Sequence, residues 1–150
     1  MKRCTKYSVK LVKESAALYE VETRVSNEFI VFNYARDVLK IHEELNEICY
    51  VLYLNTKNAV IGYEKISEGG MSWSIVEPRS VFRGAMLANS ANIILIHNHP
   101  SGDATPSVAD DKITETLIKG GNLLGIELLD HVIIGEVPYG YRSKKSYMFQ

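Results

Sequence analysis

The sequence is poor in cysteine: Cys4 and Cys49 are its only two, far apart and outside any CxxC pair. That excludes a disulfide framework and predicts a reducing, cytoplasmic setting. A charge bias is also missing, because 17 basic and 18 acidic residues leave a formal net charge of −1. Such balance gives no overall attraction for nucleic acid or an anionic membrane, although a local patch would survive the averaging. Long apolar runs are lacking too. The longest, Ile48–Leu54, falls far short of the roughly 18–20 residues of a membrane span. The basic start, Lys2-Arg3, has no continuous apolar stretch behind it, so no secretory leader is expected. Histidine is scarce as well: His42, His97, His99 and His131 are the only four, and two of them share one tripeptide.

What is present suits one soluble domain. The chain has 150 residues, 46% hydrophobic and 23% charged. A chain of this size buries about two-thirds of its unfolded surface, enough for a core without staples. Residues 1–28 alternate in part and read as an arm or hairpin, too short to be a domain. Phe29-Ile30-Val31-Phe32 is a short apolar run. Residues 35–46 carry a helical pattern, with Val38, Ile41, His42 and Leu45 on one face. Ile48–Leu54 and residues 59–66, separated by the turn signal Asn55-Thr56-Lys57-Asn58, predict a hairpin. Residues 73–76 are a further candidate strand, and Trp73 within them a core or edge aromatic. Pro78 opens a helix whose apolar face is Val81, Phe82, Ala85, Met86 and Ala88. Asn92-Ile93-Ile94-Leu95-Ile96 does not alternate and reads as a strand buried on both faces. A loop rich in Pro and Gly follows. A helix is expected over residues 107–119, stopped by Gly120-Gly121, and then buried strand from residues 123–134. Alternating helices and strands indicate an α/β or α+β domain.

The chemistry concentrates in His97-Asn98-His99-Pro100-Ser101-Gly102-Asp103-Ala104-Thr105-Pro106-Ser107-Val108-Ala109-Asp110. Residues i and i+2 of a strand share a face, so both imidazoles can project together from its C-terminal end. The next helix brings Asp110 back in its first turn. Two imidazoles and a carboxylate form a set typical of catalytic zinc, with a fourth position left for water. Taken alone, HxH is a weak signal, and Asp110 also suits the first turn of a helix capped by Ser107.

The whole segment, HxHPxGxxxPSxxD, resembles the JAMM (MPN-plus) metalloprotease signature, in which ten residues separate HxH from Asp. Here residues 100–109 supply those ten. The wording from His97 to Gly102, with the later Leu123-Leu124-Gly125-Ile126-Glu127-Leu128-Leu129-Asp130-His131-Val132-Ile133-Ile134-Gly135, is similar to the RadC branch of that superfamily. The resemblance places a RadC-like JAB/MPN-plus domain at residues 29–150. It implies an α/β, cytidine-deaminase-like three-layer sandwich, a mixed β-sheet flanked by helices. It also implies Zn2+ held by His97, His99 and Asp110, a Glu at the junction of the first helix and strand as general base, and Ser107 at the oxyanion. Glu47 fits that junction, with Glu44 and Glu64 as rivals. The zinc-deaminase PCxxC motif is absent.

The implied reaction is hydrolysis of a peptide or isopeptide amide, with a peptide or protein as substrate. The competing reading is a DNA-repair-associated accessory module or a metal-dependent nuclease, since His97-Asn98-His99 also spells HNH. The near-neutral charge counts against a dedicated nucleic-acid partner. His131 follows Asp130 in the RadC-like segment and can lie near the site, but it reads most simply as a satisfied strand-end histidine, and His42 as structural. Oligomeric state is left open.

Overall fold

A computed structural model describes residues 4–16, 23–69 and 76–150. The expected strand at Trp73 and the alternation Leu18-Tyr19-Glu20-Val21 lie outside the described residues. In chain order the elements are α1 (Glu28–Asp37), a 3₁₀ turn (Ile41–Glu43), β1 (Ile48–Leu54), β2 (Val60–Glu68), α2 (Pro78–Leu87) and β3 (Asn92–Asn98). They continue with α3 (Val108–Leu124), β4 (Glu127–Ile134), β5 (Pro138–Gly140), α4 (Tyr141–Lys144) and a final 3₁₀ turn (Ser146–Phe149). The strands form one mixed sheet in the order β2-β1-β3-β4-β5. β1 is antiparallel to both β2 and β3, while β3 and β4 run parallel and are joined through α3. Residues 4–16 carry no helix or strand and are exposed. Thr23 and Val25 run beside the β2 entry through Val60 N–H to Thr23 O and Val25 N–H to Asn58 O, both 2.9 Å.

Alternating residues of the central strands feed two cores. On one face Leu52, Leu54, Ile94, Ile96, Val132 and Ile134 pack against α1 and Ile41. On the other, Val51, Tyr53, Ile93, Leu95 and Leu128 pack against Val81, Phe82 and Ala85 of α2 and Leu117 of α3. The molecule is thus the three-layer α/β sandwich that the resemblance implied.

Several element boundaries differ from expectation, each for a physical reason. The first helix begins at Glu28 rather than residue 35, because the Asn27 side chain accepts from Phe29 N–H and Ile30 N–H and caps it. It ends before Lys40, which is left-handed (φ 55°). The face expected at Val38, Ile41, His42 and Leu45 therefore breaks up: Val38 and Ile41 are buried, His42 is exposed, and Leu45 is 91% exposed. Met86 likewise faces solvent. Gly120 and Gly121 do not stop α3, which continues to a left-handed C-cap at Gly125. A Cβ at Gly121 would lie 2.4 Å from Ile126 O, and one at Gly120 would lie 2.9 Å from the Phe82 ring. These glycines admit close packing rather than a turn, so Leu123 and Leu124 belong to helix and are exposed.

On the α1 face, Asp130 is buried, and desolvation pushes its carboxyl up to about 7 against N–H bonds from Arg142 and His131. The folded state therefore holds this proton to higher pH than the unfolded chain. The associated stability is complete below about pH 4 and is lost as pH rises toward 7. Asp130→Asn, which keeps an Oδ1 acceptor for both N–H groups, is expected to stabilise the protein at pH 8 by on the order of a few kcal/mol. Urea unfolding at pH 5 and pH 8 checks this. An equal loss between the two pH values in variant and wild type would rule Asp130 out as the cause.

Candidate metal centre

β3 carries His97 to the C-terminal edge of the sheet, on the face shared by Ile93 and Leu95. The strand ends at Asn98, so His99 stands one residue beyond it, and its N–H still donates to Ile134 O at 2.9 Å. The loop then folds back through Gly102, which is left-handed (φ 86°) and donates to His99 O at 2.9 Å. Gly135 on the β4 side lets this loop sit close, since a Cβ there would lie 2.3 Å from Gly102 O. Ser107 then starts α3. Its hydroxyl accepts from Asp110 N–H, and the Asp110 carboxylate reaches back to Ser107 N–H at 2.7 Å, a reciprocal cap. The Ser107 hydroxyl also donates to Asp110 Oδ2 at 2.7 Å. The expected N-cap role of Ser107 is thus present, and the cap aims the other carboxylate oxygen at the histidines.

His97 Nε2 and His99 Nε2 lie 3.0 Å apart, with Asp110 Oδ1 3.2 Å from the first and Asp110 Oδ2 3.6 Å from the second. Ligands held tetrahedrally about 2.0–2.1 Å from one ion stand about 3.3 Å from each other, so the three donors are spaced for a shared ion. His97 and Asp110 are buried and His99 half-buried. His99 Nδ1 faces the Asp103 carbonyl at 2.8 Å. A carbonyl only accepts, so Nδ1 bears the ring hydrogen and the Nε2 lone pair faces the cluster. Asp110 Oδ1 is fully buried and accepts no well-formed hydrogen bond among the described residues. An orphaned buried carboxylate oxygen is costly in isolation and is satisfied by a cation. Burial opposes ionisation of Asp110, but His97, His99 and Ser107 outweigh it and hold the carboxyl well below the usual range. Asp110 in turn holds the His99 imidazole above its ordinary range. The pocket draws positive charge, and its residues fit a divalent metal.

Glu47 immediately precedes β1 and lines one cavity with Cys49, Leu95, His97, Ile113 and His131. The rivals lie elsewhere: Glu44 is exposed, and Glu64 accepts from Tyr53 Oη at 2.5 Å with Arg83 3.7 Å away. Cys49 pairs directly with His97 across the strands, and burial pushes its thiol far above its usual range, so it is a small apolar neighbour.

Three residues were not picked out as site residues by the sequence. Asn98 is buried, and its side chain accepts from Ile48 N–H at 2.7 Å and donates to Asn46 O at 3.0 Å. It grips the backbone on both sides of Glu47. His131 is fully buried within β4 rather than at a strand end, with Nε2 2.8 Å from His97 Nδ1. Thr114 of α3 lies 2.6 Å from His131 Nδ1. Parallel pairing of β3 with β4 is what brings His131 beside His97, and that pairing was not legible from the motif. Asn98→Ala leaves the buried Ile48 N–H without its acceptor, at a cost of about 1–3 kcal/mol, and frees the less buried Asn46 O. The expected result is a lower urea midpoint with zinc uptake preserved, and an unchanged midpoint would show that the clamp carries no load.

A family model described as "RadC-like JAB domain" matches residues 25–146. The chain belongs to the RadC-like JAB domain family. Among similar proteins, a UPF0758 protein of Methanosarcina mazei is 49% identical over 100 residues, covering 67% of this chain and 44% of that one. One of Chlorobaculum tepidum is 43% identical over 128 residues, 80% of this chain and 58% of that protein. One of Syntrophomonas wolfei is 55% identical over 89 residues, 59% and 38% respectively. The chain spans about half the length of these relatives. As a RadC-like JAB domain it carries the histidine pair and the aspartate together at one edge of its sheet. Among the described residues no helix is long and apolar enough to cross a membrane.

Proposed function

We propose that this RadC-like domain is a zinc-dependent hydrolase of the JAMM type that cleaves a peptide or isopeptide amide. The single observation that carries the reading is the buried, cation-seeking trio His97, His99 and Asp110, with Glu47 lining the same cavity. Zinc, when bound, would supply Lewis acidity and lower the pKa of water toward 7. His97, His99 and Asp110 would hold it. Glu47 removes a proton from the attacking water as its oxygen bonds to the amide carbon. The C–N bond then breaks, and Glu47 returns the proton to the departing nitrogen. Ser107 turns its hydroxyl from Asp110 Oδ2 toward the developing oxyanion. A peptide or protein is the substrate class, because an extended amide is the bond this arrangement attacks. The neutral charge balance makes nucleic acid the less favoured substrate.

The test is metal analysis of the purified chain, then incubation of the zinc-loaded protein with peptide, isopeptide and DNA panels. Zinc near one per chain with amide cleavage is expected. Failure to take up zinc, or cleavage of DNA alone, would overturn the reading.

A further inference from the structure

The hydrogen bonds behind the metal centre form a directed chain that begins at a backbone carbonyl. The Thr114 hydroxyl lies 2.6 Å from Asp110 O, its own i−4 carbonyl, which can only accept. Its single hydrogen is therefore spent there. The Thr114 oxygen, 2.6 Å from His131 Nδ1, must then accept, so His131 Nδ1 carries a hydrogen. With its hydrogen on Nδ1, the fully buried His131 ring presents Nε2 as its acceptor. That bare nitrogen lies 2.8 Å from His97 Nδ1, which must donate to it. His97 thereby carries its hydrogen on Nδ1 and directs the Nε2 lone pair toward His99 and Asp110.

We infer that Thr114 and His131 are positioning residues that fix the tautomer and ring plane of His97 for metal binding. The inference rests on the metal-centre reading above and deepens it. His99 is oriented by a carbonyl of its own loop, whereas His97 Nδ1 faces the His131 ring, which the two-residue relay sets. The stacking of His131 on the Tyr141 ring, 4.9 Å between centroids and parallel, keeps the intermediate imidazole in plane. Tyr141 is itself held by its hydroxyl donating to Asp111 Oδ1 at 2.7 Å. The loop thus connects Asp110 back to His97 through Thr114, so two of the three ligands are set by one network.

The experiment uses the full chain and zinc alone. Zinc affinity is measured by chelator competition for wild type, His131→Leu, His131→Gln and Thr114→Val. In the metal-free proteins, the nitrogen shifts of the His97 ring report which nitrogen is protonated. Outer partners of metal-binding histidines are typically worth 10–100-fold in affinity. His131→Leu is therefore expected to weaken zinc binding by about 10–100-fold, and the near-isosteric Thr114→Val by about 10-fold. His131→Gln, whose carbonyl can still accept from His97 Nδ1, is expected to stay within about threefold of wild type. Wild-type His97 should be the Nδ1–H tautomer, and Thr114→Val should shift it toward Nε2–H. Should His131→Leu not fold, Thr114→Val and the ring shifts still decide. Affinities within about twofold of wild type in both variants, or a wild-type His97 protonated on Nε2 alone, would overturn the relay and leave the metal centre standing. A wild-type chain with no zinc affinity would overturn the metal centre and the relay with it.

Discussion

Glu47→Gln is expected to lower amide hydrolysis by about 10²–10⁴-fold, the usual contribution of a positioned general base, while zinc uptake stays at the wild-type level. The two halves of that result come from the geometry. Glu47 lines the cavity of His97 and His131 but is not one of the three clustered donors. The glutamine amide keeps shape and polarity yet cannot take a proton. The backbone around it is fixed independently of the side chain: Glu47 O accepts from Gly69 N–H at 2.9 Å, and Asn98 holds the residues on either side. The change is thus confined to proton transfer. Rates on the peptide and isopeptide panel, with metal content measured on the same samples, check it. Turnover within a few-fold of wild type would remove Glu47 from the base role.

Asp110→Asn is expected to abolish the stabilisation that zinc gives the wild type. Zinc at about 1,000 times its dissociation constant stabilises a folded protein by about 4 kcal/mol. For a domain of this size each kcal/mol moves Tm by about 2–4 °C, so the wild type should gain about 8–16 °C. The variant should gain almost nothing, because the anionic ligand is gone. Its metal-free form should still fold but melt below metal-free wild type, because the depressed Asp110 carboxyl means that the folded state favours the anion. The asparagine oxygen can take over the bonds from Ser107 N–H and Oγ–H, and its amide can donate toward His97 Nε2 in place of the orphaned oxygen. Thermal melts with and without zinc decide the matter. A large zinc-dependent shift retained in Asp110→Asn would show that the ion binds elsewhere.

The cluster of His97, His99 and Asp110 was legible in the sequence because the three lie within one short segment whose spacing carries the chemistry. The strand periodicity of Ile93 to Ile96 and the cap at Ser107 were enough to bring His97, His99 and Asp110 together. The α/β class was legible from alternating helices and strands such as the buried run Asn92–Ile96, while the three-layer sandwich was implied by the family resemblance. What escaped depended on tertiary contact. Gly120 and Gly121 look like a helix stop until the Phe82 ring and the Ile126 carbonyl are seen pressed against them. Phe29 to Phe32 are only a short apolar run in the sequence until the Asn27 cap sets them in helix. His131 lies in the RadC-like segment but shows no ligand spacing to His97, and its place beside His97 follows from the parallel neighbour strand.

The placement of β3 between its two neighbours has a consequence for how the protein assembles. Asn98 reaches Ile48 across 50 residues, and His97 reaches His131 across 34. Closing such loops costs entropy before any contact rewards it, so these pairings form late along the folding route. The ion-binding pocket then matures only once the sheet has zipped on both sides of its central strand. Metal would then arrive at a finished scaffold rather than nucleate one, and the domain would fold before any ion is bound.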